Sequence, residues 1–176
     1  MIVQLFNVAL VWMHTLAPGR DVNELAWAVA SVAESREEAA LITAIAYRES
    51  GLDNSAVGDH GRSVCAMQIH GGARSLLLDV GACVRRGTLM LRESRRIDPE
   101  NPVAFYARGP RYQSEEARRL SRDRVSLSKR LLASVAAAEV VKPAPTGFAV
   151  PCGAAPIRWD LDPRDLAVLN TWAVAA

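Results

Sequence analysis

The stretch Ala44–Gly72, AIAYRESGLDNSAVGDHGRSVCAMQIHGG, joins an apolar helix-like run, a small polar loop and a second apolar segment. The first run ends on a single acid, Glu49, and Gly51 follows it as a predicted helix stop. The segment from Leu52 to Arg62 holds several turn formers and no long apolar run, which predicts a loop or a short hairpin. Apolar residues return from Cys65 to Ile69, in CAMQI. One acid is thereby placed where a helix, a polar loop and an apolar segment meet.

The helix that leads to this acid has a clear start and one apolar face. Ser35 and Glu38 have the spacing of a capping box, in which each side chain bonds the other residue's backbone N–H. The predicted buried stripe consists of Leu41, Ile42, Ile45 and Ala46. Glu49 falls in the last turn, where a negative charge opposes the helix dipole. This is a poor position for an acid with a purely structural role.

The chain of 176 residues predicts one domain with a tail. Half of the residues are hydrophobic, which is enough to form a core. After Val141 the segment KPAPTGFAVPCGAAPIRWDLDP holds five prolines and cannot be a continuous helix. We therefore predict a functional domain over residues 1–141 and a Pro-rich tail over residues 142–176, in which RDLAVLNTWAVAA is a candidate terminal helix.

Charge and cysteine content exclude several classes of protein. The net charge of +2 is too small to indicate a nucleic-acid binder. The cysteines form no CxxC pair, and His60 and His70 lack a third ligand at metal spacing, so we predict no metal ion and no cofactor. Two states of the cysteines stay open. One is a bridge in an oxidising compartment, with Cys65 and Cys83 as the favoured pair, and the other is reduced thiols packed as small apolar residues.

The N-terminal segment is apolar but does not have the pattern of a secretory signal. It has no Lys or Arg before Arg20, whereas a signal peptide needs a positively charged start. It is also too short for a secure transmembrane helix. We predict a core helix or strand, with a cryptic export signal as the alternative. A second helix is predicted over residues 21–33, because Asp21 and Glu24 have capping-box spacing.

Helical periodicity continues through most of the remaining chain. SVCAMQI is a candidate helix start, and residues 73–97 predict one or two helices that break near Gly81 or Gly87. A short helix is predicted around Phe105. Residues 114–141 predict a long amphipathic helix whose arginines form a solvated face. The residues near its buried side are Ala117, Leu120, Leu127, Leu131 and Val135.

The acid at the end of the apolar helix suits the chemistry of glycoside cleavage. This reaction needs a protonated acid beside the leaving oxygen, and apolar burial favours the protonated form. Glu49 has an apolar helix on one side, and CAMQI can fold back against it. A second carboxylate, where one is used, activates water and lies some residues away. Asp59 lies in the adjacent loop and is the first candidate for this role, with Asp53 as the other.

Three motifs, in order, resemble the lysozyme-like superfamily, in particular the lytic transglycosylases related to goose-type lysozyme. Glu49-Ser50 at the end of an apolar helix is the first motif. GRSVCAMQI, from Gly61 to Ile69, is similar to the second, a glycine-rich turn that leads into G-L-M-Q-I. AFYARGP, from Ala104 to Pro110, is similar to the third, A-Y-N-A-G-P. The sequence departs from the family at Cys65-Ala66, where Gly-Leu is usual, and at Ala107, which replaces the asparagine.

The resemblance implies a role for each matched residue. Glu49 would act as general acid and then as base, and Ser50 would steady the helix end or the acid. Tyr106 would hydrogen-bond toward Glu49 or the substrate. The remaining cleft residues implied in this way are Ser63, Met67 and Gln68. In these transglycosylases no second carboxylate is needed, because the N-acetyl group of the substrate assists and the 6-hydroxyl closes an anhydro ring.

The expected fold is mostly α-helical, a lysozyme-like α+β arrangement with a small loop or hairpin lobe around residues 52–64 and a substrate cleft between lobes. The implied activity is an enzyme's, namely cleavage of the β-1,4 bond between N-acetylmuramic acid and N-acetylglucosamine in peptidoglycan by a lytic transglycosylase. One alternative is a hydrolytic muramidase that uses Glu49 and Asp59. Another is a module of a virion or secretion apparatus that binds cell wall without catalysis, which the altered motifs favour.

Partners and location follow from the implied substrate. The expected partners are peptidoglycan glycan strands, with no nucleic acid, no stable membrane insertion and, as a further alternative, assembly into a virion or secretion system. The site of action would be the bacterial cell envelope, either the periplasm or the cell wall. The substrate lies outside the cytoplasm, yet no good export signal is present. A phage-encoded enzyme or one delivered by a secretion system would fit both observations, and so would a cytoplasmic precursor that is released on lysis.

Overall fold

The computed structural model describes residues 1–140, and this part of the chain is mostly helical. Its helices are α1 (Ile2–Leu16), α2 (Asn23–Val32), α3 (Arg36–Ser50), α4 (Val80–Ile97), α5 (Ala104–Arg108) and α6 (Glu115–Val140). A small antiparallel sheet has the order β1 (Val57–Gly58), β2 (Ser63–Val64) and β3 (Ile69–His70). Single 3-10 turns cover Asp59–Gly61, Arg74–Leu77 and Gly109–Arg111. The α+β class is as predicted, while the Pro-rich tail over residues 142–176 lies outside the described residues.

Helix α3 begins and ends at the predicted residues, but only half of the predicted capping box forms, because the Glu38 carboxylate accepts from the backbone N–H of Glu34 rather than of Ser35. The Ser35 hydroxyl accepts a hydrogen bond from the backbone N–H of Glu38 at 3.1 Å. At the other end Gly51 adopts the left-handed conformation, with φ of 66°, which an L side chain rarely adopts. The capping box predicted for α2 is wrong. The cap position is Val22, because the Asp21 carboxylate folds onto the backbone N–H of Asn23 instead, at 3.2 Å.

The core of the described chain is built around α3. Nine consecutive residues of α3 are buried, from Glu38 to Ala46. Helix α1 packs Trp12 and Met13 into the same core, so the N-terminal segment is a helix rather than a strand. The indole N–H of Trp12 donates to the carbonyl oxygen of Leu131 on α6 at 2.7 Å. Within residues 1–140, none of the helices has the length and apolar character needed to cross a bilayer.

The predicted small lobe is present, and it extends further along the chain than expected. Strands β1 and β2 pair Val57 with Val64, and β2 and β3 pair Ser63 with His70. SVCAMQI therefore does not begin a helix, as the sequence suggested, but forms β2, a turn and the first residue of β3. The helix is prevented by two left-handed residues, Cys65 with φ of 66° and Gln68 with φ of 47°.

The predicted break in residues 73–97 lies elsewhere. Both Gly81 and Gly87 are inside α4, and the break falls just before it, where the Asp79 carboxylate caps the helix by accepting from Ala82 N–H at 2.7 Å. Gly87 is needed for packing rather than for a turn. A Cβ atom at this position would lie 2.7 Å from Cε of Met67. The glycine lets the helix approach the turn that follows β2.

Candidate active site

Glu49 lies in the last turn of α3 with its side chain one-fifth exposed. It is thus neither in bulk solvent nor fully buried. The adjacent Arg48 points elsewhere, as expected for neighbours on a helix, and its guanidinium pairs with Asp123 of α6 at 2.9 Å. The environment of Glu49 is therefore set by residues that other elements bring to the end of α3.

Arg124 of α6 is the residue that contacts the Glu49 carboxylate. Its Nη2 and Nε both donate to Oε1 of Glu49, at 2.7 and 3.2 Å. The Arg124 side chain is only 7% exposed, and its Nη1 donates to the Leu120 carbonyl oxygen at 3.0 Å. The sequence predicted mainly apolar surroundings for Glu49. The structure instead gives it a buried guanidinium, which contacts the carboxylate through two N–H groups.

The two oxygens of the Glu49 carboxylate differ in their hydrogen bonding. Oε1 receives both bonds from Arg124, while Oε2 makes no hydrogen bond with any residue of the described chain. Fully buried polar side-chain atoms without a partner in residues 1–140 are limited to the hydroxyls of Thr43 and Thr88. Oε2 is therefore reachable from outside the protein. Arg124 thus fixes one oxygen, and the other has no partner among the described residues.

Sequence reasoning missed Arg124 because it treated the α6 arginines as one solvated face. A signal was present in the spacing. Arg124 lies four residues after Leu120 and three before Leu127, so it falls on the predicted buried side of the helix. The serines at 121 and 128 are also buried on α6. A polar residue in phase with an apolar stripe indicates a buried partner, which here is Glu49.

The turn formed by residues 65–68, here called the 65–68 turn, is held by three helices. From α3, the Ser50 hydroxyl lies 2.9 Å from the Ala66 carbonyl oxygen and also accepts from Asp53 N–H at 3.0 Å. From α4, Cys83 forms a disulfide with Cys65. From α5, the Tyr106 hydroxyl donates to the Met67 carbonyl oxygen at 2.5 Å. The segment that follows the polar loop is thus fixed next to the end of α3.

The altered second motif still forms its turn. Cys65 occupies a left-handed conformation that glycine would adopt at lower cost, yet it is fully buried and bridged to Cys83. Its backbone N–H donates to the Ala56 carbonyl oxygen at 2.9 Å. Of the two states left open for the cysteines, the structure has the bridge, while Cys152 lies outside the described residues. The bridge and the backbone bond hold Cys65 in a conformation that costs about 1 kcal/mol.

Tyr106 is close to Glu49 but does not bond it. The resemblance implied a hydroxyl directed toward Glu49 or the substrate, whereas the structure directs its proton to Met67. Burial raises the pKa of the Tyr106 hydroxyl, the negative charge of Glu49 raises it further, and Arg124 lowers it. The phenol therefore stays protonated at physiological pH. It acts as a hydrogen-bond donor that connects α5 to the 65–68 turn.

Two other predicted cleft residues are used to build this turn. The Met67 side chain is fully buried and packs against Gly87 of α4, so it belongs to the core. The Gln68 amide donates to the carbonyl oxygens of Cys65 and Ala56, at 3.1 and 3.3 Å. Both residues shape the turn from within. The structure shows neither of them with a polar group directed toward Glu49.

Asp59 and Ser63 belong to a separate cluster on the sheet. The Ser63 hydroxyl is buried and donates to Oδ2 of Asp59 at 2.5 Å, and Nδ1 of His70 lies 3.7 Å from the same oxygen. The Ser63 bond holds the pKa of the Asp59 carboxyl below its usual value, with a smaller effect from His70. Asp53, the other candidate, is bound by Ser55 and pairs with Arg20 at 3.1 Å. None of these groups hydrogen-bonds the Glu49 carboxylate.

The described surface has a concavity close to the candidate site. A groove of about 240 Å³ between α4 and α5 is lined by Arg86, Leu89, Met90, Glu93, Phe105 and Tyr106. A second, of about 190 Å³, lies near the start of α1 and α3. Glu49 lines neither of them. Tyr106 is thus shared between the groove and the candidate site.

The structure therefore brings together Glu49, Arg124, Ser50, Tyr106 and the 65–68 turn, and it places the Asp59 cluster apart from them. Within residues 1–140, no three His, Cys, Asp or Glu side chains converge as metal ligands would. No protein-family model, curated protein or solved structure matches the chain. The resemblance to the lysozyme-like superfamily therefore stays a prediction from the three sequence motifs.

Proposed function

We propose that this chain cleaves the β-1,4 bond between N-acetylmuramic acid and N-acetylglucosamine in peptidoglycan, as a lytic transglycosylase with a lysozyme-like fold. The observation that carries the proposal is the Glu49 carboxylate, which is fixed through one oxygen and accessible through the other. The proposal is supported by the 65–68 turn, which Ser50 attaches to the end of α3 and which Tyr106 bonds through Met67. The glycan strand would approach Glu49 from the side of Oε2.

The proposed reaction uses Glu49 twice. Protonated Oε2 donates its proton to the glycosidic oxygen, and the bond from C1 to that oxygen breaks as the N-acetyl group of the muramic acid assists. The carboxylate then takes the proton of the muramic acid 6-hydroxyl, whose oxygen bonds C1 and closes the anhydro ring. No water is consumed and Glu49 ends protonated. A positioned acid of this kind contributes on the order of 10²–10⁴-fold in rate.

Arg124 orients the acid in this mechanism. Two N–H donors on one oxygen leave Glu49 a single oxygen for proton exchange, so the geometry of transfer is defined. Arg124 would keep this geometry during the reaction, because its own side chain is buried and bonded to the Leu120 carbonyl oxygen.

The central test is Glu49→Gln. This variant should remove clearing of purified peptidoglycan in a gel assay, with a loss of about 10²-fold or more, because the amide cannot donate and regain the proton. Asp123→Asn is a matched control, since Asp123 pairs with Arg48 across the same two helices without touching Glu49. A folded Glu49→Gln protein with nearly normal clearing would refute the mechanism.

The hydrolytic alternative is separated by a second variant and by the product. Asp59→Asn should leave clearing intact, because Asp59 is engaged by Ser63 and His70 rather than by the Glu49 group. Mass spectrometry should find an anhydro product that lacks one water relative to a hydrolysed one. Loss of clearing in Asp59→Asn, together with hydrated products, would favour a muramidase.

One observation favours a second candidate, a cell-wall-binding module without turnover. The Glu49–Arg124 ion pair joins α3 to α6, and such a pair can serve the fold alone. The loss of the asparagine at Ala107 points the same way. Sedimentation with insoluble peptidoglycan, run beside the clearing assay, decides between the two. Binding without any clearing would support the module and reject the enzyme.

A further inference from the structure

The groove between α4 and α5, here called the α4–α5 groove, has charged side chains on its α4 side and aromatic side chains on its α5 side. Helix α4 contributes Arg86, Met90 and Glu93, which lie at helical spacing along one face. Helix α5 contributes Phe105 and Tyr106. Its volume of about 240 Å³ is below the range of about 300–1,000 Å³ typical of small-molecule sites. It would therefore hold a short segment of a larger ligand rather than a whole ligand.

The uncompensated charge of this groove is positive. The Glu93 carboxylate is already paired with Arg96 through two hydrogen bonds, of 2.9 and 2.7 Å. Arg86 is exposed and makes no hydrogen bond or ion pair with any residue of 1–140. A guanidinium binds carboxylates through two parallel N–H bonds. The Arg86 guanidinium in the groove can therefore bind a carboxylate of a ligand.

The rest of the lining is apolar and accessible. Leu89 is 58% exposed, so its side chain offers apolar surface to a ligand in the groove. The Phe105 ring is held edge-to-face against Tyr112, with 5.9 Å between ring centroids. Met90 is partly buried and can adapt to irregular shapes. Small aliphatic side chains next to a carboxylate would suit this surface.

We propose that the α4–α5 groove binds the peptide stem of the peptidoglycan strand, with Arg86 on a stem carboxylate and Leu89 and Phe105 against its small side chains. This inference rests on the proposed function, because it identifies which part of that substrate the groove takes. Tyr106 connects the two sites, since it lines the groove and lies close to Glu49. A stem branching from the muramic acid held at Glu49 would reach Arg86 past this side chain.

The binding experiment compares a disaccharide–tripeptide muropeptide with the same disaccharide without its peptide, by calorimetry on the full chain. The stem-bearing ligand should bind about tenfold more tightly or better, as expected for a charge-assisted bond. Arg86→Gln should remove this difference. Arg119→Gln, at an exposed arginine of α6 outside the groove, should preserve it. Equal affinity for both ligands, or equal losses in both variants, would overturn the proposal.

The activity experiment compares intact peptidoglycan with glycan strands stripped of their stems by an amidase. The ratio of the two cleavage rates should exceed one, and it should fall in Arg86→Gln and Leu89→Ser but not in Leu78→Ser, which changes a leucine that is 91% exposed elsewhere. Binding that depends on the stem and on Arg86, without cleavage of either substrate, would support stem binding by the groove and contradict the proposed enzymatic activity. Cleavage with a ratio of one in all variants would support the enzymatic activity and contradict stem binding by the groove.

Discussion

Helix α3 carries a glutamate–arginine pair at each end, and the two pairs are built differently. At the first turn Glu38 pairs with Arg92 of α4, with each carboxylate oxygen 2.9 Å from a guanidinium nitrogen. At the last turn Glu49 pairs with Arg124 of α6 through one oxygen only. The Glu38 side chain is 6% exposed and that of Glu49 is 20% exposed. One helix thus offers a matched comparison within a single fold.

Folding alone accounts for the first pair. A negative charge at the start of a helix is favoured by the helix dipole, and Glu38 also accepts from the backbone N–H of Glu34 at 2.8 Å. The second pair has the opposite relation to the dipole and leaves one oxygen unused. The difference predicts that Glu38 contributes more to stability than Glu49 does, which leaves the proposed function to account for the position of Glu49.

The two arginines give the largest expected difference. Under the proposed function, Arg124→Gln should lower clearing of peptidoglycan by about 10²-fold, because a small misplacement of the proposed acid has an effect of this size. Arg92→Gln, the same change at the other pair, should leave the specific activity of the folded protein unchanged. Rates are measured on samples matched for folded protein by circular dichroism.

A lysine at position 124 separates positioning from simple loss of structure. Arg124→Lys keeps the charge but cannot place two donors on Oε1, so it should recover part of the activity lost in Arg124→Gln. Equal activity of Arg124→Gln and Arg92→Gln would remove the functional distinction between the two pairs.

The free energy of unfolding should change more at the Glu38 end of α3 than at the Glu49 end, which is the opposite of the order expected for activity. Glu38→Gln should lower the free energy of unfolding by about 2 kcal/mol, since an amide can accept on only one side where both oxygens are engaged. Glu49→Gln should cost about 1 kcal/mol or less, because its amide nitrogen can occupy the free position of Oε2 and the charge removed opposes the dipole. Urea titrations of both variants measure this, and a larger loss in Glu49→Gln would contradict the comparison.

The pH dependence of folding stability tests the role of the Glu38–Arg92 pair further. Hydrogen bonds from Arg92 hold the pKa of the Glu38 carboxyl below its ordinary value, against an opposing effect of burial. Its folded pKa is thus lower than its unfolded one, so its stabilisation is complete above about pH 4.3 and is lost as pH falls through the folded pKa. The stability difference between the parent chain and Glu38→Gln should therefore narrow in acid. A difference that stays constant from pH 6 to about pH 3 would contradict this assignment.

The sequence predicted those parts of the fold whose causes are local. The Ser35 cap, the Gly51 stop and the position of Glu49 between them depend on residues a few positions apart, and the structure has all three. The α6 stripe was also correct, with Ala117, Leu127 and Leu131 buried. Periodicity and capping act within one or two helical turns, so one sequence contains the information.

Features that depend on distant contacts were not predictable in the same way. The two-residue strands form only because β1, β2 and β3 pair with one another, so they carry no periodic signal of their own. Gly87 was read as a helix break because its partner, Met67, is 20 residues away in sequence. In the sequence, Asp59 and Glu49 are both acids near one loop. Only the folded chain shows that their carboxylates belong to different hydrogen-bonded groups.

The smallest expected effects come from the serines at the two ends of α3. Ser35 caps the first turn, and its replacement by alanine should cost about 1 kcal/mol of stability without altering the rate of folded protein. Ser50 lies between the helix end and the 65–68 turn, bonded to Ala66 and Asp53. Ser50→Ala should cost a similar amount, about 1 kcal/mol, because it leaves the Asp53 N–H without its acceptor.

The two variants should differ in activity although their stabilities match. Ser50→Ala releases the Ala66 carbonyl from α3, so the turn beside Glu49 loses one of its three attachments, while the disulfide and Tyr106 remain. We expect a reduction in clearing rate of about threefold to tenfold, smaller than for Arg124→Gln because the carboxylate keeps its own partner. Ser50→Thr, which retains the hydroxyl, should recover most of the rate. If Ser35→Ala lowers the rate as much as Ser50→Ala does, the activity depends on the general stability of α3 and not on the attachment of α3 to the turn.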